Sequence, residues 1–300
     1  MFKMTLFPHS KNTRTHLYFL LFLAVFGLSF YIQFAFLSPQ SMWPDEALYG
    51  WYAKRIFADC SLIFSKEIVE FHPPLFACLL AAGHFFFPHE LVYHLVPLAI
   101  NMAGTYLIYL LGIKIRDQFT GLCASIILAF NFLYLNNSTR ILIDNTLIVF
   151  IMLFVNVLLS AYDNSKGISL KQQIMIGITG SLVILLKWSG VLIIPFFILC
   201  TISCRYKPSL KDRVKEACIP LSILLITVTL LLFNNYFRLG HLLPDTSALA
   251  GKFRIQPVWY YFSKLTTILT PPFLPFLFVF GSFMIVKQKK QSISYWLFGF

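Results

Sequence analysis

Charge is what this sequence most conspicuously lacks. Only 12% of its 300 residues are Asp, Glu, Lys or Arg, about half the roughly 25% of a soluble globular chain. So few charges cannot cover a water-soluble fold of this length, and a mean hydropathy of +0.75 agrees. Acids are the scarcer sign, 12 against 24 bases, leaving a formal charge of +12. In a soluble chain that excess would suggest nucleic acid. In a membrane chain it orients the spans, because cytoplasmic segments collect Lys and Arg, and no nucleic-acid partner is expected. The six cysteines include no CxxC spacing and mostly lie in or beside apolar runs, so neither a disulfide framework nor a zinc site is expected. Internal repeats and low-complexity tracts are also missing. Disorder is excluded by what is plentiful: 33 Phe, 14 Tyr and 5 Trp within a chain that is 58% hydrophobic.

The apolar runs define an all-α, polytopic membrane protein. A first span at about 17–37 follows Lys3, Lys11 and Arg14 and has no small-residue cleavage site, so it reads as an anchor. Further spans are expected at about 91–113, 119–135, 146–161, 173–186, 190–204, 218–235 and 265–286. The 13 residues of 75–87 make only about 20 Å of helix, short of a hydrocarbon core of about 30 Å. They are expected as an interfacial or re-entrant helix within a large first outer loop, 38–90. A last large outer loop is expected over 236–264. The run 292–300 is apolar but stops before it could span, so this single transmembrane domain is expected to be C-terminally truncated.

Charge placement selects the topology. With the N-terminus inside and eight spans, cytoplasmic segments hold 15 of the 24 basic residues and 4 of the 12 acids. Counting 75–87 as a span would instead place Lys114, Arg116 and the basic segment 205–215 outside, against the positive-inside tendency.

The outer loops carry the candidate chemistry. Trp43-Pro44-Asp45-Glu46 is a helix start, with proline at the first position and two acids in the first turn. Leu48, Trp51, Tyr52 and Ile56 follow at helical spacing, so 44–58 is expected as an amphipathic helix on the membrane face. The acids either complement the helix dipole or do chemistry. His72-Pro73-Pro74-Leu75 ends the same loop, and its histidine is either a structural hydrogen-bonder or a site residue. In the loop 136–144, Arg140 and Asp144 are four apart and would share a helical face, as a local ion pair or as the lining of a cavity. Asn136 and Asn137 match a glycosylation sequon. The last outer loop offers Arg238, Arg254 and the aromatic run 259–262, suited to an interfacial belt or to a flap over a donor.

Taken in order, these motifs resemble the GT-C membrane glycosyltransferases that use polyprenyl-phosphate sugars. The resemblance is to the protein O-mannosyltransferase and aminoarabinose-transferase branch, the dolichyl-phosphate-mannose-protein mannosyltransferase type. It rests on a first span, Asp45-Glu46, His72-Pro73-Pro74-Leu75, Arg140 with Asp144 between two spans, and the turn Lys187-Trp188-Ser189-Gly190, and it covers about residues 17–205. It implies a GT-C fold of about eight transmembrane helices and transfer of a sugar from a polyprenyl-phosphate donor, on the outer face, to a protein, lipid or polysaccharide acceptor. It implies Asp45 as general base, with Glu46 positioning or holding a metal and Asp144 a further acid of the site.

Chemistry is consistent with that implication. A lipid phosphate leaves as an anion and needs positive charge, for which Arg140, Lys187, Arg238, Lys252 and Arg254 are the candidates and a divalent metal the alternative; His72 is a further candidate for binding substrate or phosphate. The acceptor must lose a proton, which needs one carboxylate. Attack opposite the phosphate inverts the anomeric centre. A bacterial or archaeal plasma membrane, or the endoplasmic reticulum of a eukaryote, is the expected location. The competing classes are a transporter or lipid flippase, which would need broken or charged helices near the midplane, and an inactive membrane scaffold.

Overall fold

The computed structural model describes residues 11–35, 37, 44–69, 72–162, 167–203 and 209–240. Among these, every regular element is helical: α1 (Lys11–Ala35), α2 (Pro44–Ala58), α3 (Lys66–Val69), α4 (Leu75–Phe86), α5 (Val92–Ile115), α6 (Gln118–Ala129), α7 (Phe132–Asn136), α8 (Ile143–Tyr162), α9 (Leu170–Leu186), α10 (Ile193–Ser203) and α11 (Leu210–Leu239). Short 3-10 turns occupy Cys60–Phe64 and Trp188–Leu192. The span expected at 265–286, the outer loop beyond Gly240 including Lys252 and Arg254, and the run 292–300 lie outside the described residues.

Short polar side chains set the helix ends. Asp117 accepts from the Thr120 amide at 2.8 Å and starts α6. Ser169 and Gln172 form a capping box at the start of α9. α11 stops at Gly240, whose φ of 77° lies in the left-handed region that glycine enters at least cost. One such side chain corrects the sequence reading. The single span expected at 119–135 is broken at Asn131, which is extended and accepts from the Tyr134 amide at 3.1 Å, so α6 ends and α7 begins. A short amide competes with the helix ladder for backbone hydrogen bonds, and a hydropathy sum does not register this.

Among the described residues, four segments are long and apolar enough to cross a bilayer by themselves: Thr15–Ala35, Val92–Ile115, Ile143–Tyr162 and Lys211–Leu239. Side-chain register shows that the shorter pieces traverse the same thickness. α5 and α8 run parallel. Asn145 meets Asn101 at one end, while Lys114 Nζ reaches Asn156 O at 2.9 Å and Ser160 Oγ at 2.6 Å at the other. The chain must therefore return between them, and α6 and α7 together make that pass. α9 and α11 are parallel too, with Gly177 against Ile223 and Ser181 bonded to Thr227 at 2.7 Å, so α10 is the return between them. α1 is antiparallel to α5, its Phe22 stacked on Tyr109 at 4.1 Å. All of this places Asp45, Glu90, Asp144, Lys187 and Arg238 at one end of the bundle and Lys114, Arg116, Lys171 and Arg213 at the other.

That arrangement predicts accessibility. A thiol-reactive impermeant reagent is expected to label Ala47→Cys in intact cells and Lys211→Cys only after permeabilisation; both positions are exposed in the fold. External labelling at Lys114 would overturn the assignment of sides.

Candidate active site

The shorter helices between α1 and α5 fold onto the end of the bundle through one hydrophobic cluster. Tyr49, Tyr52, Ala53 and Ile56 of α2 pack with Phe76, Ala77 and Leu80 of α4, Ile141 and Ile143 at the start of α8, and Leu186 at the end of α9. The buried face of α2 follows the i, i+3, i+4, i+7 spacing, which is why a charged segment lies flat here instead of spanning. Exposed ion pairs lie at its edge, Lys54 with Glu90 at 2.6 Å and Arg55 with Glu67 at 3.1 Å; such pairs contribute little, about 0–1 kcal/mol each. The consequence of the cluster is positional. Asp45, His72, Asp144 and Lys187, scattered over the sequence, are carried to one place by α2, the turn before α4, the start of α8 and the end of α9.

A cavity of ≈390 Å³ opens there, lined by Asp45, Leu48, Tyr49, Tyr52, Ile68, His72 and the proline pair Pro73-Pro74 among others, within the ~300–1,000 Å³ typical of small-ligand sites. The two acids of α2 part company. Asp45 is exposed on the cavity wall, whereas Glu46 is 4% exposed and turned into the protein. Adjacent helical residues point about 100° apart, which accounts for the divergence. The fold therefore does not use the pair as a chelate. Among the described residues no group of three or more His, Cys, Asp or Glu could hold a metal ion, and the expectation of a metal on Asp45 and Glu46 does not fit this geometry.

His72 is stacked on Tyr49, centroids 6.1 Å apart and rings within 12° of parallel. Its Nδ1 is buried with no hydrogen-bond partner among the described residues. Burial lowers its pKa below the usual imidazole value, Lys187 adds to the lowering, and Asp144 and Asp45 oppose it. The lowered pKa favours the uncharged ring, which suits a hydrogen-bonding role. Because the folded-state pKa lies below the ordinary 6.5, the unfolded chain takes up the proton first. The stabilisation is complete above that value and is lost as pH falls through the depressed folded pKa. Thermal midpoints in detergent are expected to drop on acidification below pH ~6.5 more steeply for the native chain than for His72→Gln. Tyr49, four residues beyond Asp45 on α2, is buried beneath the cavity, and burial followed by Asp144 and Asp45 raises its pKa.

Lys187 Nζ contacts Asp144 Oδ1 at 2.6 Å, and the two side chains are 29% and 60% exposed. The lysine sits where α9 gives way to the 3-10 turn Trp188–Leu192, in extended conformation. Gly190 makes this turn possible. Its amide donates to Lys187 O at 2.7 Å, and a Cβ added there would collide with the Val183 carbonyl. The obstacle is backbone and cannot swing aside, so Gly190→Ala is expected to cost about 1–3 kcal/mol, read as a lowered thermal midpoint of the detergent-solubilised protein.

Arg140 and Asp144 do not share a helical face, because residues 138–141 form bends and α8 begins at Ile143. The four-residue spacing therefore has no helix to act through. Arg238 is exposed in the last turn of α11, at the same end of the bundle, and Arg254 lies outside the described residues. Sequence reasoning missed Tyr49, although its position one turn after Asp45 was a visible signal. It also missed the polar set Asn101, Tyr134 and Asn145 behind the 138–142 turn, detectable only as amides and hydroxyls inside apolar runs.

Parallel and antiparallel spans capped at one end by shorter helices, with acids and a lysine gathered there, define a polytopic GT-C-type membrane protein. Residues 86–285 match the family model described as dolichyl-phosphate-mannose-protein mannosyltransferase, and the chain belongs to that family. Arg140, Asp144 and Lys187 lie inside the matched segment, and Asp45 and His72 precede it. Solved structures share the fold, two of them as follows. One is the archaeal oligosaccharyltransferase AglB from Archaeoglobus fulgidus in complex with an inhibitory peptide and a dolichol-phosphate, at a TM-score of 0.56 and 16% identity, covering 89% of this chain and 37% of that one. The other is the S. cerevisiae protein O-mannosyltransferase Pmt1-Pmt2 complex bound to the sugar donor, at 0.56 and 22%, covering 77% and 35%. The chain thus spans little more than a third of the length of either. Comparison with curated proteins returns no match.

Proposed function

We propose that this chain is a membrane glycosyltransferase that moves a hexosyl or pentosyl group from a polyprenyl-phosphate donor to an acceptor on the outer face. The observation that carries the reading is Asp45 on the wall of a cavity that also receives His72, beside the Lys187–Asp144 pair. In this reading Asp45 accepts the proton of the acceptor hydroxyl or amine as that atom attacks the anomeric carbon. The bond from that carbon to the phosphate oxygen breaks on the opposite side, so the product is inverted. The departing phosphate gains negative charge, which Lys187 stabilises, with Arg140 and Arg238 as further cations at that end. Asp144 holds Lys187 until donor arrives. His72 and Tyr49 contact the sugar or the acceptor through an uncharged surface. Protein, lipid and polysaccharide acceptors fit equally, in a plasma or endoplasmic-reticulum membrane.

The test is transfer of label from polyprenyl-phosphate sugars, mannose first, to endogenous acceptors in membranes containing the full gene product. Label that appears in an acceptor and depends on the gene supports the reading. Donor left intact with mannose, glucose, aminoarabinose and galacturonate alike would overturn it.

A further inference from the structure

Behind the proposed site, α5, α7 and the start of α8 enclose polar side chains in an otherwise apolar layer. Asn101 is 1% exposed, Asn145 5% and Tyr134 3%. Asn145 Nδ2 donates to Asn101 Oδ1 at 3.1 Å and to Tyr134 O at 3.1 Å. Asn101 Nδ2 donates to Ser138 O at 2.9 Å, and Tyr134 Oη donates to Asn101 O at 2.6 Å. His94 Nδ1 lies 2.7 Å from Thr139 O; a carbonyl only accepts, so this nitrogen carries the hydrogen. The packing is shaped around the tyrosine hydroxyl, since a Cβ on Gly104 would collide with Tyr134 Oη.

These bonds bracket the segment that bears Arg140 and Asp144. Ser138 and Thr139 are held just before Arg140, and Asn145 just after Asp144. Inside the segment, Ile141 is fully buried in the cluster that floors the cavity. Apolar side chains would pack α5 on α8 without the cost of burying amides. What the amides add is direction, because each bond fixes a particular backbone group of the turn.

We infer that Asn101 and Asn145 are positioning residues of the transfer site: through the 137–142 turn they fix Asp144, and with it Lys187, within electrostatic reach of the cavity. This rests on the transferase reading given above.

The experiment uses the full chain and two independent readouts. A nitroxide on Asn137→Cys, in a cysteine-free background, is expected to give an immobilised spectrum that sharpens when Asn145→Leu is added. In the transfer assay, Asn145→Leu is expected to lower kcat about 10- to 100-fold, as misplacement of a site by about 1 Å does, with donor KM within about threefold of native. Asp144→Asn is then expected to lose most of its own effect in the Asn145→Leu background, because the carboxylate is already displaced. If Asn145→Leu does not fold, Tyr134→Phe removes one hydrogen bond with little change of volume and carries the same measurements. An unchanged spectrum overturns the inference whatever the activity. So does a sharpened spectrum with fully additive Asp144→Asn effects, which marks a structural role alone. Absence of transfer by the native chain would sink the transferase reading instead, and the spectrum would still decide whether the amides order the turn.

Discussion

Asp45→Asn is expected to lower sugar transfer by at least about a hundredfold, with expression and donor binding close to native. A positioned general base contributes about 10²–10⁴-fold, and the amide cannot take up the acceptor proton. The substitution is mild in every other respect. Asp45 is exposed in the first turn of α2, where asparagine has the same size and shape. It also stands apart from the cluster that docks α2, formed by Tyr49, Tyr52, Ala53 and Ile56. Glu46→Gln makes the informative contrast. Glu46 is buried, so its replacement should lower the thermal midpoint before it lowers turnover per folded molecule. Near-native turnover in Asp45→Asn would move the base to Asp144, and full activity in Asp144→Asn as well would remove the glycosyltransferase reading.

Much of the fold was legible because lipid contact and helix period leave marks along the chain. The spans expected at 91–113, 146–161 and 173–186 correspond to Val92–Ile115, Ile143–Tyr162 and Leu170–Leu186. The span expected at 218–235 is the middle of Leu210–Leu239, whose first turns carry Lys211, Asp212, Arg213, Lys215 and Glu216. A hydropathy run ends where the bilayer ends, whereas a helix continues for as long as its backbone bonds hold. The break at Asn131 was hidden for the converse reason, since one side-chain hydrogen bond redirects the chain without altering its hydropathy.

Legibility of the candidate site divides by sequence separation. Asp45 and its helix start are local, and so is the His72-Pro73-Pro74 entry to α4, so residue types in a row were enough to single them out. Lys187 meets Asp144 across 43 residues and Asn145 meets Asn101 across 44. Nothing in either neighbourhood names the partner. The i, i+4 rule offered Arg140 as a neighbour of Asp144 because that rule sees only helices, and the chain bends there. Likewise, nothing around His72 in the sequence names Tyr49, the ring it stacks on.

Lys187→Gln is expected to lower donor use about ten- to a hundredfold, the equivalent of one charge-assisted hydrogen bond of roughly 1.5–3 kcal/mol. Two explanations of such a loss must be separated, because Lys187 already contacts Asp144 at 2.6 Å. If the lysine only neutralises that carboxylate, then Asp144→Asn should restore the Lys187→Gln protein, since an unpaired acid beside the cavity is then the whole defect. If it stabilises the departing phosphate, the double replacement stays as slow as the single one. In that case Lys187→Arg, which keeps the charge but alters its geometry, should recover part of the rate. The loss should fall mainly on kcat, because phosphate charge develops as the bond to the anomeric carbon breaks. Both side chains remain partly exposed, so added salt should weaken their mutual contact and slightly favour the exchange of partners. Steady-state transfer with a polyprenyl-phosphate sugar, measured for the two single variants, the double variant and Lys187→Arg, decides the matter. Full restoration in the double variant would remove Lys187 from the phosphate site and leave Arg140 as the next cation to examine.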